Sequence, residues 1–376
     1  MNKYKNFSRV IFILLLIFIN FLTNQCKNQS SPIMSNDLIR IGVILPLTGD
    51  AAIYGKAMKN GIELAFKESK IKERIQLLIE DDMGDKMRAT NAGHFLINKN
   101  VLVIIGGAQS KTADALIPII DKYKIPLVTP GASSIDFDKI STNFFRLWPS
   151  DSYDGKIMAN FITNNLNLDK IAILYTNSKY GVGIKSVFEE VISLNKKKIV
   201  FSEPFTEGEK DFRTQLQKIR ESKANALFIP GYFAEVSIIL KQIFELNINI
   251  KIFGTSSFHD EKLMEYLGNA MDGVIFSFPV FDIEKGDITV KDFSDKYFKE
   301  YNLKPDVWAA LSYDCFKVVE NVIIQGAKSS KEIQEKMHKI KNFLGVSGIF
   351  SFDEYGNVIK TFEILIVKNG RFVKLL

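Results

Sequence analysis

Short apolar runs alternate with stretches whose apolar positions recur every three or four residues along nearly the whole of this 376-residue chain. The first kind fits strands covered on both faces of a sheet, and the second fits helices that pack on the sheet by one side. Their alternation predicts parallel, doubly covered sheets. The first series reads as strand 38–45, loop 46–55, helix 56–68, strand 75–79 and helix 87–99, and then the segment 101–134. That segment carries the densest signal. It is an apolar strand, a Gly106-Gly107 turn ending at Ser110, an amphipathic helix, a second apolar strand, and the loop Thr129-Pro130-Gly131-Ala132-Ser133-Ser134.

A second series follows Asp151: helix 155–165, strand 171–175, helix 184–195, strand 199–203, helix 212–221, strand 226–230, helix 234–246, and strands 251–254 and 273–277. Helices over 289–301 and 309–325 come next. Asp353-Glu354-Tyr355-Gly356-Asn357 is a turn signal between two alternating runs and predicts a late hairpin over 350–367. Two α/β lobes result, each with its own sheet.

In such sheets both loops of the 101–134 segment lie at the carboxyl ends of their strands, where open α/β folds gather ligands. They offer hydroxyls and free backbone N–H groups, and Ser110 stands at a helix start, where an anion is favoured. The segment is therefore expected to form a binding crevice.

The first residues add a destination. Lys3, Lys5 and Arg9 precede an apolar run from Val10 to Ile19, the signature of a secretory signal over residues 1–25. Cys26 then reads as the lipid-bearing first residue of a mature lipoprotein, the other use being an ordinary residue beside a conventional cleavage site. A polar tether over 26–37 follows. Removing the signal takes away three positive charges, so the formal +6 falls to +3, too mild a balance for a nucleic-acid partner. The remaining cysteine, Cys315, lies in an apolar helical pattern and is expected to be a buried packing residue.

Candidate chemistry narrows by elimination. Gly49 to Lys56 has five residues between its glycines rather than four, and Ala57 stands where a phosphate-binding loop needs Ser or Thr. Gly181-Val182-Gly183 lacks the third glycine of a dinucleotide fingerprint. His94, His259 and His338 share no metal-ligand or triad spacing, Asp81 and Asp82 point to opposite faces of a strand, and no nucleophile–base set emerges. No catalytic residue, metal or cofactor is expected. Tyr54, Tyr180, Tyr232 and Trp148 recur in loops or at lobe junctions, which favours a cleft between the lobes.

With those residues in view, the chain resembles the periplasmic leucine/isoleucine/valine-binding protein family, the type I solute-binding proteins of ABC transporters. The likeness runs from about Ile39 to the end. It is carried in order by Ile41 to Gly49 with Tyr54-Gly55, Glu80-Asp81-Asp82, Ile105-Gly106 leading to Ser110, Pro126 to Ser133, Arg146 followed by Asp151, Lys179-Tyr180-Gly181, Gly208 to Phe212, and Gly231-Tyr232. The resemblance implies two doubly wound, Rossmann-like lobes, 38–150 with 280–356 and 151–279 with 357–376, that close on a ligand in the cleft between them. It further implies that Ser110, Ser133 and Gly131 hold a ligand carboxylate and that Tyr54, Tyr180 and Tyr232 line the pocket; Trp148, from its place at a lobe junction, is a candidate for the shell behind it.

One departure bears on the ligand. The family's branched-chain binders place a glutamate, which pairs with the ligand ammonium, where this chain has Ser256. A buried ammonium without a counter-charge costs several kcal/mol. Either Asp151, Asp260 or Glu261 supplies the charge, or the ligand carries no α-ammonium. A first-lobe disulfide of the family also has no counterpart, since Gly84 and Gln109 stand at its places. The expectation is a monomeric, exported, periplasmic lipoprotein that binds a branched-chain or other neutral amino acid and delivers it to an ABC permease. The alternatives are an amide, urea-like or aromatic carboxylate ligand, and a sensory role in place of transport.

Overall fold

Leu38 to Leu45 is apolar at nearly every position because its strand is covered on both faces. The computed structural model describes residues 38–49, 51–279 and 288–376, of which 40–376 form one compact unit. Strands β1 (Ile39–Leu45), β2 (Ile75–Asp81), β3 (Val103–Gly106), β4 (Leu127–Thr129) and β5 (Phe144–Arg146) make a five-stranded sheet in the order β2-β1-β3-β4-β5. The β1–β3, β3–β4 and β4–β5 pairs are parallel. Helices α1 (Ala52–Lys67), α2 (Lys86–Asn98) and α3 (Ser110–Tyr123) connect the strands, and Leu96, Leu116 and Ile120 of α2 and α3 pack with Ile104 and Leu127 in the core.

The second sheet draws on β6 (Lys170–Thr176), β7 (Lys198–Phe205), β8 (Ala226–Phe228), β9 (Lys251–Gly254) and β10 (Ile275–Pro279), with helices α4 (Asp151–Asn160), α5 (Lys179–Leu194), α6 (Arg213–Glu221), α7 (Phe233–Glu245) and α8 (Glu261–Leu267) between them. Its core includes the stacked pair Phe188 and Phe228, 4.2 Å between ring centres. Helices α9 (Ile288–Tyr301), α10 (Val307–Ile324) and α11 (Ser330–Met337) and the short strands β11 (Phe343–Gly345), β12 (Gly348–Phe352) and β13 (Val358–Ile359) follow. The chain then ends in β14 (Phe362–Lys368) and β15 (Arg371–Lys374), giving the order β15-β14-β10-β9-β8-β6-β7.

Three local readings change. The turn at 353–357 does join an antiparallel pair, β12 and β13, but from Phe362 the chain enters the second sheet and pairs antiparallel with β10. An alternating pattern cannot say which sheet a strand joins. Strand β5, α8 and α11 lie where no element was expected. Helix α4 starts at Asp151, four residues before the predicted helix at 155, because the Ser150 side chain accepts the Ser152 N–H and caps it. The earlier start puts Asp151 and Asp154 on one helical face.

Helix α10 crosses α1 at Gly61, where an added Cβ would stand 2.1 Å from the Ala309 carbonyl oxygen. That approach brings Trp308 beside Tyr54, with ring centres 6.0 Å apart. The chain passes between the sheets from Arg146 to Asp151 and again from Ile359 to Phe362. Arg146 ties the start of the first passage to the chain just before the second, its Nε donating to Asn357 Oδ1 at 2.9 Å. Asp81 ties the loop after β1, accepting from the Leu47 and Met83 N–H groups at 2.8 and 2.9 Å. Gly84 and Gln109 face each other, an added Cβ on Gly84 falling 2.6 Å from Gln109 Oε1. Cys315 is fully buried. Cys26 and the predicted signal lie outside the described residues. Among the described residues no helix is long and apolar enough to cross a membrane.

Candidate functional site

A cavity of about 820 Å³ opens at the carboxyl ends of the strands. Tyr54, Ser110, Gly131, Ser133, Tyr180, Tyr232 and Ser256 line it, together with Trp148, Asp151 and Asp260. The side chain of Glu261 lies outside the described residues.

One wall comes from the loops after β3 and β4. Ser110 begins α3, and its Oγ accepts the N–H groups of Ser133 and Ser134, each at 3.3 Å. Thr129 Oγ1 donates to the Gly107 carbonyl at 2.8 Å and accepts from the N–H groups of Gly131 and Ala132 at 3.3 and 3.2 Å. Side chains thus hold the two loops together. Gly131 is a glycine by necessity, because a Cβ there would lie 2.5 Å from the Ala108 carbonyl oxygen and 3.2 Å from the Trp308 ring. Beneath the loop, the fully buried Arg146 donates to the carbonyl oxygens of Ser133 and Ser134 at 3.1 and 2.9 Å and pairs with Asp138. A fixed cation thus anchors the loop by its carbonyls. The Ser110 hydroxyl hydrogen and the first turn of α3 remain to meet an anion.

The opposite wall is built from the second sheet. Tyr180, in the first turn of α5, stacks on Tyr232 with ring centres 4.9 Å apart, and its hydroxyl meets Thr255 Oγ1 at 2.7 Å. Burial raises the phenol's pKa well above its usual value. Ser256 follows β9. Its hydroxyl and N–H both donate to Asp154, at 2.7 and 3.2 Å, and Ser277 Oγ also donates to that carboxylate. Asp154 stands behind Ser256, and Asp151, one turn earlier on the same helix, lines the cavity beside the first wall, its N–H donating to the Ser133 carbonyl at 2.9 Å. Both are buried. Burial, followed by the neighbouring Asp154 charge, pushes the Asp151 carboxyl up to about 7. Burial alone raises Asp154, and its three serine bonds hold it at about 6. Asp260 caps α8, accepting from the Lys262 N–H at 2.8 Å.

Aromatic side chains close the space between the walls. Trp148 and Trp308 stack with ring centres 4.9 Å apart, Phe278 meets Trp148 edge-on at 6.1 Å, and His259 stacks on Phe278 at 4.0 Å. His259 also stacks on Phe372 at 4.4 Å, and burial lowers its pKa below the ordinary imidazole value. Asp154, Trp308, Phe278 and the site role of His259 escape the sequence reading. Asp154 carries a weak signal, as an acid three residues after Asp151. The other three come from segments that only the fold brings to the cleft. Among the described residues no group of three or more His, Cys, Asp or Glu could hold a metal ion.

Comparison with known proteins gives this architecture a family. A family model described as periplasmic binding protein matches residues 38–371. Leu/Ile/Val-binding protein homolog 3 of Brucella melitensis biotype 1 is 24% identical over 346 residues, which are 90% of this chain and 93% of that protein. The leucine-binding protein LivK of Thermotoga maritima has 28% identity and a TM-score of 0.77, covering 90% of this chain and 98% of its own. The branched-chain amino acid transporter substrate-binding protein LivJ of Streptococcus pneumoniae, solved in complex with isoleucine, has 29% identity and a TM-score of 0.76, over 90% and 99% of the two chains. The chain therefore belongs to the periplasmic binding proteins, as a type I solute-binding protein of the Leu/Ile/Val-binding kind.

Proposed function

We propose that this protein captures a neutral amino acid with an apolar or aromatic side chain and presents it, with the lobes closed, to an ABC permease. One observation carries the reading. A single cavity is lined by a helix-start cradle at Ser110, Gly131 and Ser133, by the buried acid Asp151, whose N–H donates to the Ser133 carbonyl at 2.9 Å, and by aromatic rings. A carboxylate suits the cradle, an ammonium the acid beside it, and an apolar side chain the aromatic rings. Relatives named as leucine- and isoleucine-binding proteins support the same class.

Binding needs no chemical step. The two walls touch one solute together only when closed, so the solute shifts the lobes towards that state. The protein acts as an exported monomer, held at the membrane by a lipid on Cys26. Mass spectrometry of the small molecules released when the purified protein is denatured tests the ligand, and a neutral amino acid is the expected finding. A solute without a carboxylate would refute the assignment. Cys26→Ser should move the protein from the membrane fraction to the soluble fraction, and an unchanged distribution would remove the lipid.

A further inference from the structure

The two ends of the first sheet carry opposite charge. At the carboxyl ends of β1 to β4, the loops 46–49, 82–85, 107–109 and 130–138 contain no lysine or arginine, and they hold Asp82, Asp85, Asp136 and Asp138. At the strand starts, Lys70, Lys72 and Arg74 lie between α1 and β2, Lys99 follows α2, and Lys122 and Lys124 close α3. All six are exposed, and among the described residues none takes part in an ion pair, whereas Lys67 just before them pairs with Glu300. Glu73 is the one exposed acid between α1 and β2, and Glu68 there is held by Lys296 and the Tyr313 hydroxyl. A helix dipole favours cations only within the last turn, and Lys70, Lys72 and Arg74 stand beyond the end of α1. Two exposed rings lie among these cations. Lys99 Nζ sits over Phe95 and Lys122 Nζ over Tyr123, each 5.2 Å from the ring centre, and the His94 ring meets Tyr123 edge-on.

We propose that this strand-start face of the first lobe rests on an anionic lipid surface. Cations without a carboxylate partner attract lipid phosphates, and exposed rings beside them suit the level of the headgroups. The chain enters the first sheet at the same face, since Leu38 leads directly into β1. With Cys26 lipidated, as proposed above, the residues between Cys26 and Leu38 span no more than about 40 Å, so the tether keeps this face near the bilayer. The contact adds to the lipid without replacing it, because physiological salt confines the attraction to a layer about 8 Å deep. The cleft, at the other ends of the same strands, then points away from the lipid and stays open to solute.

The test is co-sedimentation of the Cys26→Ser protein, which carries no lipid of its own, with vesicles of phosphatidylcholine alone or mixed in equal parts with phosphatidylglycerol. In about 50 mM NaCl, binding to the anionic vesicles should exceed binding to the neutral ones by at least about tenfold, and it should vanish in about 500 mM NaCl. Equal binding to both vesicles, or none to either, overturns the proposal. Lys70→Glu, Lys72→Glu and Arg74→Glu together should lower binding by more than about tenfold. The milder pair Lys99→Gln and Lys122→Gln should lower it about threefold and serves if the triple variant fails to fold. The strand starts of the second sheet supply the control, since Lys196, Lys198 and Lys223 are exposed there with no tether beside them. Their reversal to glutamate should leave binding within about twofold; a loss equal to that of the first triple would reflect overall charge alone and overturn the proposal. Because the assay omits the lipid, its failure leaves the reading of Cys26 standing, and fractionation tests that reading separately.

Discussion

The two walls of the cleft are built differently although they face the same space. The first is local. Its hydroxyls and N–H groups come from two loops within 101–134, and beneath them Arg146, from the next strand, fixes the carbonyls of Ser133 and Ser134. The second is assembled from α4, the start of α5, the loop before α7 and the segment after β9, and its bond network runs between residues about a hundred positions apart, such as Asp154 and Ser256. The difference teaches that a wall of donors can be made by backbone at a helix start, whereas a wall with buried charge behind it needs side chains collected by the fold.

The largest test of this contrast is Arg146→Met. It leaves the Ser133 and Ser134 carbonyls and Asp138 without their cation, so a loss of about 3–5 kcal/mol of stability is expected in chemical denaturation. A loss below about 1 kcal/mol would show that the first wall stands without its anchor.

The acid pair makes the cleft sensitive to pH. Because the folded-state values of Asp151 and Asp154 lie above the usual 3.8, at about 7 and about 6, the folded protein holds more protons than the unfolded chain between 3.8 and about 7. Their contribution to stability without ligand therefore falls as pH rises through that window and is flat above it. Affinity for an amino acid should move the other way and increase from pH 5.5 to 8, as the acids ionise to meet the ammonium. Denaturation and calorimetry at those two pH values check both signs, and Asp151→Asn should flatten both. An affinity that falls with rising pH would separate the acids from the ligand.

Ser110→Ala removes one hydroxyl from the first wall and should weaken binding by about 1–3 kcal/mol with little change in folding. Unchanged affinity by calorimetry would limit the cradle to backbone groups. The smallest effect belongs to the rim, where exposed Lys179 of α5 meets Asp136 of the first wall at 2.8 Å. Lys179→Ala should weaken binding only slightly, because the pair is solvent-exposed. The wild-type advantage should fade in high salt, and a salt-independent loss would mean that the lysine touches the ligand.

Much of this was legible in the sequence. The strand-turn-helix at 101–110 places Ser110 by local chemistry alone, and Asp81 and Asp82, on opposite faces of a strand, were readable as no metal pair. The replacement of a glutamate by Ser256 meant that either Asp151, Asp260 or Glu261 supplies the ligand's counter-charge or the ligand carries no α-ammonium. Asp151 lines the cavity, whereas Asp154, the acid that grips Ser256, was passed over. Its helix was expected to start only at Gly155, and the polar segment 150–154 looked like loop until Ser150 capped it. Trp308 gave no signal because its place in the cleft depends on the close crossing of α1 and α10.

By itself the sequence determined the alternation of strand and helix, the two lobes, and the anion-friendly loops, because periodicity, glycine turns and helix caps act within a few residues of each other. Tertiary structure alone decided which buried acid stands behind Ser256, which hydroxyl meets that of Tyr180, and which rings close the cleft. Those properties depend on hydroxyls and desolvated charges meeting across long stretches of chain, and such meetings leave no periodic trace in the order of residues.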